Sequence, residues 1–329
     1  MSTIAPESPC WSGVRPGGTL LAKNLRLRPL RGSDADNLSA QGNDPDVARW
    51  MADLPHPFPP EAARGLIARA ATDGAEGRAF GFGIERIRDG VLIGWIELRR
   101  DESNVGEVTV WLGRAYGGKG SGTEAVRRIV RFAFRDLNLD DVRGRVLLDN
   151  AASARMLAKA GFTEKGAGMC GGSVSCAGRP ARLFALARAE WRALYDSRPM
   201  VLVAAAALID ADGRVLMARR PEGKDMAGLW EFPGGKVHAG ETPEAALIRE
   251  LAEELSLDVR ESCLAPIAFA SHDYDDFHLL MPLFACRVWK GTPTPREGQD
   301  LRWVQPTRLA DLPMPPADMP LVPLLRDLL

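Results

Sequence analysis

The sequence predicts an α/β (α+β) chain built as two domains, and three observations lead there. At 329 residues the chain is longer than a single core usually organises. Strand-like alternation and helix-like periodicity interleave along its whole length, which argues against an all-helical or all-β fold. A break at 192–199, ending in Pro199, separates two blocks that each carry enough apolar residues for a core. The expected division is a loose tail at 1–19, a first domain at 20–191, a linker at 192–199 and a second domain at 200–329.

Composition narrows the function classes. The formal net charge is −1, so the electrostatic footprint of a nucleic-acid binder is missing. The 5 cysteines, Cys10, Cys170, Cys176, Cys263 and Cys286, are odd in number and lack paired CxxC spacing. That argues against a disulfide framework or zinc site and fits a reducing cytoplasm. The longest apolar run, Met200 to Ile209, is too short to span a bilayer. The first residues are rich in Pro, Gly and Ser without an apolar segment, so no secretory signal is expected.

In the first block, Leu25 to Leu30 alternates and reads as an edge strand, with Pro29 tolerated there. Ser33-Asp34 opens a helix, and Glu61 to Ala71 is a second helix after a Pro-rich break. Ala79 to Ile87 and Val91 to Leu98 flank Arg88-Asp89-Gly90, a hairpin signal. Glu107 to Leu112 is the next strand. Gly117-Gly-Lys119-Gly120-Ser-Gly122 then feeds a long helix, Thr123 to Phe134. A glycine-rich turn at a helix start offers free backbone N–H groups and a positive dipole end, with Lys119 adding charge, which suits a pyrophosphate; a flexible loop is the other reading. It lacks the Gly-Lys-Ser/Thr ending of a Walker loop. Val142 to Leu148 is a strand, Ala151 to Ala160 a helix beginning after Asn150, and Arg182 to Arg188 the last strand of the block. Gly166 to Gly178 gives no readable pattern.

The second block starts with a buried-type strand, Met200 to Ile209. A turn at Asp210 to Gly213 leads into a returning strand, Arg214 to Arg219. Thr242-Pro243 opens a helix, Thr as cap and Pro at the first helical position. Ala245, Ile248, Leu251, Ala252 and Leu255 are its expected apolar stripe. Leu264 to Ser271, Leu279 to Val288 and Asp300 to Val304 are strand-like. Arg308 to Leu312 is a short helix and Pro320 to Leu329 a closing one.

The chemistry concentrates on the Thr242 helix. Glu250, Glu253 and Glu254 stand at i, i+3, i+4, about 5–6 Å apart. In a cleft of effective dielectric near 20, each pair repels by about 3 kcal/mol. A hard divalent cation removes that cost, because it takes carboxylate oxygens. Arg249 is placed to orient one carboxylate, and Gly234-Gly235 lets backbone carbonyls approach the same ion. A solvated acidic helix is the plain alternative.

The spacing Gly235, five residues, Glu241, seven residues, Arg249-Glu250-Leu-Ala-Glu253-Glu254-Leu-Ser256-Leu257 resembles the Nudix hydrolase box. Ser256 stands where that family usually has Gly, at the helix exit. Leu229-Trp-Glu-Phe-Pro-Gly-Gly-Lys236, Arg296-Glu-Gly-Gln299 and Pro315-Pro-Ala-Asp318 extend the similarity to MutT-type pyrophosphohydrolases, over about 200 to 329. The resemblance implies an α/β/α sandwich and Mg²⁺ (or Mn²⁺) held by Gly235, Glu250, Glu253, Glu254 and Glu297. It implies Glu250 as the base, with Glu253 its rival, and Arg249 orienting Glu250. Arg220 would meet the phosphates or sugar, Phe232 would lie near the base, and Asp318 would replace an Asn that reads it. Ionised Asp only accepts hydrogen bonds.

The first block resembles the GNAT acetyltransferases, Rim-type enzymes in particular, over about 20 to 190. Gly117 to Gly122 matches their acetyl-CoA pyrophosphate loop, with Gly117 where Arg or Gln is usual. Asn150-Ala-Ala-Ser153 with Lys159-Ala-Gly161-Phe162 matches their later CoA-side motif. The resemblance implies acetyl-CoA as co-substrate bound by Lys119, Gly120, Gly122 and Asn150. Ser153 would protonate the leaving thiolate, and Glu107 or Glu97 would accept the amine proton. The expected function is a bifunctional cytoplasmic enzyme that hydrolyses a nucleoside triphosphate such as 8-oxo-dGTP, cleaning the nucleotide pool, and acetylates an unidentified amine. Two alternatives remain at this stage. One is mainly an acetyltransferase, with the Nudix part acting on another nucleotide. The other is a non-catalytic acetyl-CoA-binding module that regulates the hydrolase. No membrane and no duplex nucleic acid is expected as a partner.

Overall fold

The computed structural model describes residues 18–51, 55–169 and 178–329. The expected tail at 1–19 therefore lies almost wholly outside the described residues, as do Cys10, Cys170, Cys176 and most of the unreadable stretch 166–178. The chain forms two compact units, one chiefly Leu25–Glu85 and Val91–Leu194, the other chiefly Tyr195–Leu329.

The first unit runs β1 (Leu20–Leu21), β2 (Leu25–Arg28), α1 (Ala35–Gly42), α2 (Pro45–Ala48), α3 (Pro60–Ala75), β3 (Ala79–Arg86), β4 (Leu92–Arg100) and β5 (Val105–Leu112). It continues with α4 (Ser121–Arg135), β6 (Asp141–Leu147), α5 (Ala151–Lys159), β7 (Thr163–Met169), β8 (Pro180–Ala187) and α6 (Arg188–Asp196). Its strands form one sheet in the order β1-β2-β3-β4-β5-β6-β8-β7. Every residue of β4 from Leu92 to Leu98 is buried, so the sheet is covered on both faces there. Phe132 of α4 packs edge-on against Phe80 and Phe82 of β3, with ring centroids 5.3 and 6.0 Å away. Three expectations change. The two-residue β1 takes the edge, so β2 is interior. Gly166 to Met169, at the start of the stretch that gave no readable pattern, belong to β7. The stretch expected as a linker at 192–199 is helical up to Asp196, because Arg188 to Asp196 continues as α6.

β5 and β6 set up the first cavity. They are the parallel pair in this sheet, and their pairing joins only Val105–Glu107 to Asp141–Arg143. Beyond that point the strands splay.

The second unit contains β9 (Met200–Leu208), β10 (Val215–Arg219), β11 (Trp230–Glu231), β12 (Gly234–Lys236) and α7 (Pro243–Leu255). β13 (Leu264–Asp273), β14 (His278–Cys286), β15 (Asp300–Val304) and α8 (Leu321–Leu328) complete it. β12-β9-β14-β13 form a mixed sheet, and β11-β10-β15 a smaller antiparallel one. Alternation along β9 explains the layering. Ala204, Ala206 and Leu208 share a core with Leu247, Leu251 and Leu255 of α7. Ala205, Ala207 and Ile209 share one with Leu321, Val322 and Leu325 of α8. A two-residue period thus gives each face its own helix, and the alanines let the helices pack close. The Nudix α/β/α expectation holds.

The expected β9–β10 hairpin does not form. The two strands share a single bridge, Ile209 with Val215, and then part into different sheets. β9 is already flanked by β12 and β14, so no edge remains for β10. The short helix expected after β15 is a 3₁₀ segment, Pro306–Asp311.

Candidate functional site

The second unit's site is organised by α7. The Thr242 hydroxyl accepts the Ala245 N–H at 3.1 Å and Pro243 occupies the first turn, as the capping signals predict. At the other end Ser256 adopts φ 59°, ψ 35°, the left-handed exit usually given to Gly. Its hydroxyl accepts a bond from Arg296 Nε at 2.6 Å. The buried stripe is Leu247, Leu251 and Leu255, with Ala246 beside it; Ala245 and Ala252, expected in the stripe, are exposed. Alanine's small apolar surface did not decide the helix's rotation.

That rotation separates the three glutamates. At about 100° per residue, Glu254 and Glu250 lie next to the Leu247–Leu251 row and Glu253 about 60° farther out. Glu250 and Glu254 line a cavity of about 540 Å³ together with Gly235, Glu297, Arg220, Phe232 and Asp318. Glu253 is not among its lining residues and its side chain is 62 % exposed.

Arg249 fixes this end of the helix. Its Nε and Nη2 donate to Glu241 at 2.8 and 3.0 Å, Nη1 to Glu250 Oε1 at 2.8 Å, and Nη2 also to the Lys236 carbonyl at 3.2 Å. The Arg249 bond, with the His238 N–H, holds the Glu241 carboxyl down to about 2. Gly235 lies flat against the Glu250 carboxylate: a Cβ there would stand 2.2 Å from Glu250 Cδ. Gly234, at φ 154°, has the Ala204 carbonyl oxygen 2.1 Å from where its Cβ would be. Both glycines are required by close approach.

The donor set suits a hard cation. Burial first, then the carboxylates of Glu297, Glu250 and Glu231, push Glu254 up to about 7. The cations already beside these acids do not offset that crowding, and a divalent charge among them would. The residues that would hold it are Glu250, Glu254 and Glu297 with the Gly235 carbonyl. Among the described residues no three acidic, His or Cys side chains are gathered into a ready-made cage. Instead Glu250 is bonded to Arg249, and Glu297 to Lys224.

A pH prediction follows. Glu254 binds a proton up to about pH 7 when folded but only up to 4.5 when unfolded. Metal-free stability therefore falls as pH rises from 4.5 to 7, because in that window the folded state holds more protons. Glu241, depressed to about 2, acts in the separate window below 4.5, where stability falls as pH falls. In chelator, thermal melts of the protein should decline between pH 5 and 7.5, and Glu254→Gln should flatten that decline.

Asp318, also in the cavity lining, is 3 % exposed. Burial, and then the Glu231 carboxylate, hold its carboxyl well above the ordinary range. Glu231 is itself raised by burial although Arg220 Nη1 sits 2.6 Å from it. Phe232 is 3 % exposed, part of the core and of the cavity wall. Sequence reasoning missed Glu231. Its signal was a carboxylate set between the large apolar residues Trp230 and Phe232.

The first unit's cavity, about 570 Å³, occupies the splay between β5 and β6. Val108 to Leu112 line one side and Gly144 to Leu147 the other. Gly120 and Gly122 line it at the start of α4, and Asn150 and Ser153 at the start of α5. Gly120 has φ 89° and caps α4 without a side-chain hydrogen bond. Lys119 does not line the cavity, and its Nζ donates to the Ala115 carbonyl at 3.0 Å. Asn150 Oδ1 accepts the Ser153 N–H at 3.0 Å, so this residue is a helix cap whichever ligand it meets. Glu107 lines the cavity 3.4 Å from Arg145. Glu97 is buried, paired with Arg99 at 3.1 Å and absent from the lining. Trp111, which sequence reasoning did not single out, lines the cavity with a buried indole N–H that has no hydrogen-bond partner among the described residues.

Comparison with known proteins agrees with this division. The acetyltransferase (GNAT) domain pattern matches residues 24–163 and the NUDIX domain pattern residues 204–323. An 8-oxo-dGTP diphosphatase of Proteus vulgaris is 41 % identical over 96 residues, 29 % of this chain and 84 % of that protein. A CTP pyrophosphohydrolase of Escherichia coli (strain K12) is 40 % identical over 119 residues, 36 % of this chain and 85 % of that protein. The uncharacterized N-acetyltransferase p20 of Bacillus licheniformis is 30 % identical over 150 residues, 45 % of this chain and 84 % of that protein.

Proposed function

From a chain that belongs to two families, the GNAT acetyltransferases through its first domain and the Nudix hydrolases through its second, we propose two activities. The second domain is a divalent-cation-dependent pyrophosphohydrolase of nucleoside triphosphates, 8-oxo-dGTP foremost, that cleans the nucleotide pool in the cytoplasm. The first is an acetyl-CoA-dependent N-acetyltransferase. The observation that carries the hydrolase reading is the set Gly235, Glu250, Glu254 and Glu297 lining one cavity together with Asp318.

Mg²⁺ or Mn²⁺, when bound, neutralises the triphosphate and makes a water acidic enough to lose its proton near neutral pH. Glu250 takes that proton: Arg249 bonds one of its oxygens at 2.8 Å, and the other remains to accept. The water attacks phosphorus, and a nucleoside monophosphate and pyrophosphate leave. Arg220 and Lys236, both in the cavity lining, face the phosphates, and Phe232 walls the base.

Asp318 selects the base. Its carboxyl, raised well above the ordinary range by burial and then by Glu231, offers in its protonated form an O–H donor and a carbonyl acceptor, as the Asn of related enzymes does. It then pairs with guanine O6 and N1–H together, which ionised Asp cannot do. Asp318→Asn should keep the substrate preference of the wild type near neutral pH. As pH rises through the raised titration of Asp318 the wild type should lose 8-oxo-dGTP affinity, and the Asn variant should not. KM measured against pH for both proteins checks this, and parallel profiles would remove Asp318 from base recognition.

In the first domain, Glu107 accepts the acceptor ammonium's proton, the free amine attacks the thioester, and Ser153 protonates the departing thiolate. Thiol release from acetyl-CoA with a panel of amines tests that domain. The hydrolase is tested by pyrophosphate release from 8-oxo-dGTP, dGTP and CTP with Mg²⁺. Equal turnover of all three would defeat the oxidised-guanine assignment, and CTP preferred over both would replace it.

A further inference from the structure

Arg249 and Lys224 each bond a carboxylate assigned above to the divalent ion, and the fold uses these two cations differently. Arg249 is locked by bonds to Glu241, Glu250 and the Lys236 carbonyl. Lys224 has a single described side-chain partner, Glu297. Lys224 and Glu297 are half exposed, at 49 % and 45 %, and both line the cavity with Gly235, Glu250 and Glu254. The Lys224 ammonium thus meets a carboxylate assigned above to the divalent ion.

The backbones of the pair are held unequally. The Glu297 segment is tied to the exit of α7. Arg296 N–H donates to the Glu254 carbonyl at 2.9 Å, Arg296 Nε to Ser256 Oγ at 2.6 Å, and Gln299 Nε2 to the Glu254 carbonyl at 3.3 Å. Gln299 Oε1 also receives the Glu297 N–H at 2.8 Å. Lys224 sits on the turn between Arg220 and Gly228, beside Gly223 at φ 88° and before Met226 at φ 58°. Its own backbone bonds are the weak 3.4 Å contact to the Pro221 carbonyl and the 3.2 Å bond from Ala227 N–H. If the pair opens, the lysine moves and the glutamate stays.

Resting on the hydrolase reading, we propose that Lys224 is a built-in surrogate for the divalent cation. It holds Glu297 in the metal-free protein, yields it when the ion binds, and then sets its ammonium on the phosphate chain of the incoming nucleotide. The chemistry of the two groups supports the exchange. A lysine ammonium is a compact charge on a flexible four-carbon stem, with three donors that bond carboxylate or phosphate equally well. A hard divalent ion takes the same carboxylate oxygens. The nucleotide arrives with phosphate oxygens within reach of a cation that has just lost its partner. An arginine there would grip Glu297 with two bonds and release it less readily. The competing explanation is an ordinary surface ion pair without consequence for either ligand.

The two explanations differ in sign. Mn²⁺ is titrated into metal-stripped full-length protein without nucleotide, following free Mn²⁺ by its paramagnetic resonance. Lys224→Met should bind Mn²⁺ about five-fold more tightly than wild type, since a competitor is gone, and Lys224→Arg more weakly. In the pyrophosphate assay at saturating Mn²⁺, Lys224→Met should raise KM for 8-oxo-dGTP about ten-fold while kcat changes little. Unchanged or weaker Mn²⁺ binding by Lys224→Met overturns the surrogate role. Tighter Mn²⁺ with an unaltered KM overturns the transfer to phosphate. A wild type that takes up no Mn²⁺ overturns the hydrolase reading and this one with it, an outcome distinct from normal uptake that the variant leaves untouched.

Discussion

Glu250→Gln is expected to lower pyrophosphate release from 8-oxo-dGTP by about 10³-fold, the range lost when a general base is removed. Gln matches Glu in volume and keeps one oxygen for Arg249 Nη1, which now sits 2.8 Å from Glu250 Oε1. The carboxylate's position against Gly235 should therefore survive, and thermal melts should show an intact fold. What disappears is the proton acceptor and one negative oxygen for the cation. Glu253→Gln is the matched control. Its side chain is 62 % exposed, meets Arg249 Nη1 only at 3.4 Å and does not line the cavity. A loss of about ten-fold or less is expected for it. If Glu253→Gln proves the more damaging variant, Glu253 is the base. If both leave turnover unchanged, the acidic face of α7 is not the catalytic centre. Gly235→Ala approaches the same point from the backbone: its methyl would collide with the Glu250 carboxyl and should cost activity without altering any titratable group.

The parts of this site readable in the sequence are those set by local chemistry. Thr242-Pro243 names a helix start because capping needs only the next three residues, and the structure has that bond. Ser256 marks the exit through the family resemblance, standing where Gly is usual, and it takes the left-handed backbone that Gly would take. The period-2 split of β9 follows from chain geometry alone. What could not be read depends on tertiary placement. Nothing local tells that β10 finds no edge beside β9, or that Ala245 and Ala252 turn outward. Lys224 and Glu297, 73 residues apart, meet because two loops converge. Asp318 was visible as a change from Asn, but the upward shift of its carboxyl is a consequence of burial beside Glu231, and a sequence does not carry a dielectric. Glu97 and Glu107 were equivalent as strand carboxylates. The splay of β5 from β6 after Glu107 and Arg143 sets one at the cavity and leaves the other paired with Arg99.

In the first domain the largest effect is expected from Gly120→Glu, which should weaken acetyl-CoA binding by about 100-fold or more, through backbone strain and charge repulsion together. Steric filling is not the cause, since a Cβ at Gly120 would meet nothing within 4 Å. The residue has φ 89° and stands immediately before α4, whose first N–H groups have no side-chain cap. Those donors and the helix dipole are what a pyrophosphate would use. A graded series separates the contributions. Gly120→Asn tolerates the left-handed backbone and adds no charge, so its loss should be small. Gly120→Ala adds the backbone penalty alone. Gly120→Glu adds a carboxylate facing the same N–H groups and should be far worse than Ala. Calorimetric titration of acetyl-CoA into the three variants reads the order directly. Equal affinities for Ala and Glu would mean that no anion sits at the start of α4, and wild-type affinity in Gly120→Glu would move the coenzyme's phosphates away from this loop altogether.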